Sequence, residues 1–244
     1  MKPKLVLTTS IMATLIVAIV SSTPITSIYA AEAGQPNKLL TAKWWEWVMA
    51  IPPEINPLDD DTGENCDVDQ QGPVWYLVGT PGDTEAGDVI IGSAERECTI
   101  PEGKRILFPI INTFCSELSE ADFIKELLEI PEDEPIPPSQ LKSGLISCAE
   151  FFMDLVDIKE VVIDGQDVTN LDESRVQSPL FKIVYPEDNV FGVTENTGIP
   201  QKSIADGFWV LLDGLEAGEH TIEFKGGISS FPFETGVLYN IIIE

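Results

Sequence analysis

A mainly β fold with α additions is what this sequence predicts: an antiparallel β-sandwich or jelly-roll-like body carrying an N-terminal helix and a disulfide-tied helical insertion. Three observations point there. From Ile158 nearly to the end the chain reads as short apolar runs separated by turn dipeptides, helical periodicity is confined to the first half, and four cysteines follow an export-type start.

Lys2 and Lys4, the largely apolar residues 5–20 and the small residue Ala30 read as a signal peptide over residues 1–30, which leaves residues 31–244 as one exported domain. The apolar stretch 11–20 is shorter than the roughly 18 residues a spanning helix needs, so no stable membrane span is expected after signal cleavage. Retention as an uncleaved anchor is the alternative. A secreted or extracytoplasmic location, associated with the cell envelope, follows. Losing Lys2 and Lys4 with the signal takes the formal net charge from −27 to −29. Such a surface repels nucleic-acid phosphates and anionic lipid, which excludes nucleic acid as a partner.

The first mature helix is expected over residues 37–50, where Trp44, Trp47, Val48 and Ile51 recur at helical spacing before Pro52-Pro53 ends it. Trp44 and Trp47 share the apolar stripe. Trp45 points about 100° away from Trp44, so it is expected to be the exposed tryptophan. Residues 74–78 read as a buried strand, residues 80–92 as a surface excursion, and residues 96–100 and 105–112 as strands, with Pro109 calling for an edge or a bulge.

Ser119-x-x-Asp122 resembles a capping box opening a second helix that stops at Pro131, and Ser139 is placed to cap a third with Leu145, Ile146, Phe152 and Leu155 on its apolar face. The two form a helical insertion, residues 116–147. Strands then follow at 160–163, 180–185, 208–212, 220–224 and 236–243, with Asp164-Gly165, Asp213-Gly214 and Gly226-Gly227 as turns.

Cys66, Cys98, Cys115 and Cys148 allow three pairings. Sequence-adjacent pairing is preferred because it closes two loops of similar length, each bridge contributing about 3 to 4 kcal/mol. Thiol ligation of a metal is a poor alternative without a C-x-x-C pair and with a single histidine.

That histidine, His220, alternates with Ile222 and Phe224 and so faces inward, as a core or rim residue rather than a base. A zinc-protease motif, a G-x-S-x-G elbow, a Walker A loop and a G-x-G-x-x-G fingerprint are all absent. Carboxylates remain. Glu46, flanked by Trp45 and Trp47, and Asp206, just before Phe208 and Trp209, place acids beside aromatics in the manner of a sugar site, although the polar face of a helix explains Glu46 as well. Asp59, Asp61, Asn65 and Asp67 have the oxygen-rich composition of a calcium loop. Their spacing departs from the EF-hand pattern, and a solvated acidic turn is the favoured reading. Calcium is the one cofactor considered; none is expected otherwise.

The blocks KWWEWVMAIPPEINP, DTGENC, GPVWYLVGT, CTIPEGKRILFPIIN, RVQSPLF, DGFWVLL and GEHTIEFKGG span most of the mature chain, and together they resemble a family of uncharacterised exported proteins of archaea and bacteria. The resemblance implies a single exported domain with two structural cysteine pairs, and it transfers no catalytic residue. Acidic segments at residues 83–88 and 129–134 depart from it. The functional expectation is a non-catalytic binding or envelope-associated domain, its ligand a glycan or another surface protein. An extracellular carboxylate-based, glycosidase-like hydrolase supported by calcium is one alternative, and a purely structural envelope component is another.

Overall fold

In the computed structural model, residues 33–81, 84–86, 89–230 and 233–244 are described; the signal segment 1–30 and parts of the excursion at 80–92 lie outside them. The central strand of the first sheet shows why the chain folds as it does. Along residues 201–212, Phe208, Val210 and Leu212 join one apolar core while Ala205, Trp209 and Leu211 join another. A strand apolar on both faces must be covered on both.

In chain order the elements are β1 (Ala33–Gly34), α1 (Lys38–Ala50), β2 (Val74–Tyr76), β3 (Thr84–Ala86), β4 (Val89–Ile100), β5 (Arg105–Ser116), α2 (Ala121–Leu127), α3 (Pro138–Met153), β6 (Ile158–Ile163), β7 (Gln166–Asp167), β8 (Phe181–Ile183), β9 (Gln201–Leu212), β10 (Gly218–Ile228) and β11 (Phe233–Ile243). One sheet has the order β1-β9-β5-β2 with β8 also paired to β9; the other runs β3-β4-β11-β10-β6-β7. Phe108 of one sheet stacks on Phe224 of the other at 4.6 Å, in the core between them. The protein is therefore a mainly β, sandwich-like body with helical additions.

Both sheets are mixed, which corrects the purely antiparallel expectation. β2 lies parallel to β5 and β4 parallel to β11. Between β2 and β5 the chain crosses to the other sheet as β3 and β4, so it returns in its original direction instead of turning a hairpin.

α1 is capped by Asn37, whose Oδ1 accepts the Leu39 N–H at 2.9 Å, and it covers the outer face of the first sheet. The expected register of its tryptophans is reversed. Trp45 is only 5% exposed, packed 4.4 Å from Phe114 and 6.2 Å from Phe191, while Trp47 is half-buried with its Nε1 donating to the Val68 carbonyl. Segments distant in sequence, β5 and the 186–193 loop, cover the arc that helical periodicity assigned to solvent.

Other local expectations fail for identifiable reasons. Ser119 does not cap α2: its hydroxyl donates to Gln201 Oε1, and Glu120 Oε2 instead accepts the Ser116 N–H and hydroxyl, both at 2.6 Å. Pro137 and Pro138, not Ser139, start α3. Gly226-Gly227 is no turn but lies inside β10, where a Cβ on Gly226 would meet the Ile110 carbonyl at 2.6 Å. Glycine there lets the second sheet approach the β-bulge at Pro109–Ile111. Asp164-Gly165 is the left-handed pair expected of the β6–β7 hairpin.

The disulfides are Cys66–Cys98 and Cys115–Cys148. The second anchors the insertion, where Ile124, Leu145, Cys148 and Ala149 pack against Cys115 and Ile204.

Glu120 gives this region a pH dependence. Burial raises its carboxyl above the ordinary 4.5, outweighing the Ser116 hydrogen bonds that favour the charge. A raised carboxyl binds its proton more tightly in the folded than in the unfolded state, so its ionisation weakens the fold as pH rises above 4.5. Glu120→Gln keeps the acceptor and loses the charge. Thermal unfolding is expected to show the variant gaining on the native protein between acid and neutral pH; a constant difference refutes this.

Candidate functional site

The four residues proposed for a sugar site do not meet. Glu46 is on the solvent side of α1, Trp209 is fully buried beneath α1, and Asp206 is on the opposite face of β9 from Trp209. Asp206 is 1% exposed and engaged: its Oδ2 accepts Arg175 Nε at 3.0 Å and Nη2 at 2.7 Å, and its Oδ1 accepts the Gly207 N–H. Arg175 also reaches Asp154 at 2.6 Å. Asp206 thus pins the segment around Arg175 to β9 and is not free for proton transfer, and Trp45, being buried, is no surface platform. The four residues therefore do not form one surface sugar site.

The acidic loop is organised by Asp60, which the sequence reading passed over. Its Oδ1 accepts the Thr62 N–H, the Thr62 hydroxyl and the Gly63 N–H at 2.8–3.0 Å, and its Oδ2 accepts the Asn65 N–H at 2.7 Å. Burial opposes this charge, but the Asn65, Thr62 and Gly63 hydrogen bonds outweigh it and hold the carboxyl below its ordinary value. Asp59, Asp61 and Asp67 point to solvent. Among the described residues no three acidic, histidine or cysteine side chains gather as a metal-holding group, so the calcium reading finds no donor set at Asp59, Asp61, Asn65 and Asp67.

The loop is held to the body by Arg96, 1% exposed on the inward face of β4. Its Nε donates to the Asp60 carbonyl at 2.6 Å, Nη1 to the carbonyls of Val78 and Gly79 and the Tyr239 hydroxyl at 2.9–3.0 Å, and Nη2 to Leu58 at 3.4 Å. One signal for it existed in the sequence. Arg96 alternates with Cys98 and Ile100 on the buried face of a strand, where an arginine needs a polar socket.

Fixing the loop creates a groove. Thr62 O accepts the Glu97 N–H at 2.8 Å, Gly63 has φ 89° and passes so close to Glu97 that a Cβ would overlap its carbonyl, and Cys66 is bonded to Cys98. Between this loop and the end of the second sheet lies a cleft of about 710 Å³ lined by Glu64, Asp67, Glu97, Glu219, His220 and Asn240 among others. Glu95, Glu97, Thr99, Thr221 and Glu223 continue it as an exposed sheet face, whereas the helices pack on the other sheet.

His220 sits at the groove's rim as expected. Its Nδ1 lies 2.8 Å from Asp164 Oδ2 and its Nε2 2.9 Å from the Glu216 carbonyl, so each nitrogen faces an acceptor of the protein itself. No lysine or arginine lines the groove; its acidic side chains are Glu64, Asp67, Glu97, Asp164 and Glu219. Hydrogen-bond acceptors and negative charge are therefore what it offers a ligand.

Among the described residues no helix is long and apolar enough to cross a membrane. No family model matches this chain, and neither does any curated protein or solved structure.

Proposed function

We propose that this protein is an exported binding domain that docks a basic segment of another surface protein in the groove between the Cys66–Cys98 loop and the six-stranded sheet. The observation that carries this reading is the groove itself: about 710 Å³, with the Cys66–Cys98 disulfide, five carboxylates and no lysine or arginine in its lining. Lysine and arginine side chains complement such a lining, and opposite charge across an interface steers association and sets specificity.

The test separates groove recognition from general attraction to an acidic protein. Binding of a fluorescent oligolysine peptide is measured by anisotropy for the native protein, for Glu97→Gln/Glu219→Gln, and for Glu129→Gln/Glu132→Gln on the exposed α2–α3 connection, which removes the same charge elsewhere. The groove variant is expected to weaken binding about tenfold, roughly 1.4 kcal/mol, and the control to leave it nearly unchanged. Equal weakening by both pairs contradicts the assignment.

A further inference from the structure

The outer face of the six-stranded sheet carries a pattern that specifies more about a partner than its sign of charge. Three neighbouring strands, β4, β11 and β10, share that face. Its exposed acids fall on the two flanking strands, Glu95 and Glu97 on β4 and Glu219 and Glu223 on β10. Between them β11 presents no acid over this stretch. Its register sets Leu238 between Glu95 and Glu223, Asn240 between Glu97 and Thr221, and Ile242 between Thr99 and Glu219. Ile242 is 48% exposed and lines the groove, and Leu238 is half-buried.

The face is therefore three lines, acidic, neutral and acidic. The groove's margins repeat the order. Glu64 and Asp67 stand on the loop that lies along the outer edge of β4 through the Thr62–Glu97 hydrogen bond, and Asp164 flanks β10, its Oδ1 accepting the Thr221 N–H at 2.8 Å. Among the described residues the one lysine on the outer face of these strands, Lys225, lies beyond Glu223 and is paired with Glu234 Oε2 at 2.6 Å.

Geometry chooses between the shapes a basic segment can take. Neighbouring strands are about 4.8 Å apart, so the two acidic lines are separated by about 10 Å. An extended segment laid along β11 directs alternate residues at the sheet in a single line. That line cannot place apolar groups on the centre and cations on both sides. An amphipathic helix can, because it is about 10–12 Å wide and an apolar stripe can be flanked on both sides by long basic stems. Leu238 and Ile242 are about 13 Å apart along the strand, the length of two to three helical turns.

We propose that the basic segment docked here is an amphipathic α-helix lying along β11, its apolar stripe over Leu238 and Ile242 and its lysines or arginines reaching the acids of β4 and β10 on either side. This inference rests on the reading of the groove as a surface for a basic segment and adds that segment's conformation and apolar face.

Three fluorescent peptides of equal charge test it by anisotropy on the full mature chain. Two contain leucine and lysine in the same proportions over about twelve residues, one with leucine at helical spacing and one with strict alternation; the third is oligolysine. The helical-spacing peptide is expected to bind about tenfold more tightly than the alternating one, and to gain helical circular dichroism on binding. Ile242→Thr keeps a β-branched residue in the strand and is expected to weaken that peptide about fivefold while leaving oligolysine unchanged. Equal affinity of the two leucine peptides, no gain of helix, or no effect of Ile242→Thr overturns the helix. In those cases the groove reading still stands if Glu97→Gln/Glu219→Gln weakens oligolysine. Indifference of all three peptides to Glu97→Gln/Glu219→Gln overturns both.

Discussion

Replacing Arg96 with methionine is expected to remove about 3 to 5 kcal/mol of folding stability, the range typical of breaking a buried, charge-assisted network. The size of the effect comes from what the guanidinium leaves behind. Four backbone carbonyls, of Leu58, Asp60, Val78 and Gly79, converge on it from two connecting segments, and the Tyr239 hydroxyl closes the socket. A thioether satisfies none of them, and the site is too deep for water to replace the fork easily. Lysine is expected to recover less than half the loss, because one ammonium with three donors cannot reproduce a planar fork that spans separated acceptors. Tyr239→Phe costs less, since Arg96 still donates to Val78. Chemical denaturation of the three variants provides the check. A methionine variant within about 1 kcal/mol of the native protein shows that the socket is not what holds the loop.

The second large effect belongs to the Cys115–Cys148 bridge. Its 33-residue separation predicts a loss of about 3 to 4 kcal/mol for Cys115→Ala/Cys148→Ala from unfolded-chain entropy. Packing adds to this, since both sulfurs lie inside the cluster formed by Ile124, Leu145, Ala149 and Ile204. The loss is expected to be uneven across the molecule. Hydrogen exchange should accelerate most in α2 and α3, whose attachment the bridge secures, and least in β10 and β11, which sit in the other sheet. Uniform acceleration contradicts the view that the bridge ties down an insertion.

Much of the fold is legible in the sequence where neighbours along the chain decide it. Asn37 and Pro52-Pro53 bound α1, Pro109 marks a real bulge, and alternation through Ile222 and Phe224 places His220 on the inward rim. The misreadings share one cause, which is coverage by distant segments. Trp45 is buried because Phe114 and Phe191 arrive over it, and Asp206 is spent because Arg175 reaches it from 31 residues away. Gly226-Gly227 looks like a turn in isolation; the requirement for glycine comes from Ile110 and Ile111 of the facing sheet.

The candidate sites were legible only in part. The acidic loop stands out by composition, yet the residue that organises it, Asp60, differs from its neighbours only in pointing inward. The groove needs the Cys66–Cys98 bridge to bring that loop to Glu97 and Glu219.

The central claim is that the acidic groove is the recognition surface. Mapping backbone amide chemical shifts during titration with a basic peptide tests it most directly. The account predicts shifts concentrated at Glu64, Glu97, Thr99, Glu219, Thr221 and Asn240, which line the groove. Shifts of equal size along the exposed acids Glu129, Glu132, Asp133 and Glu134, or none in the groove, contradict it.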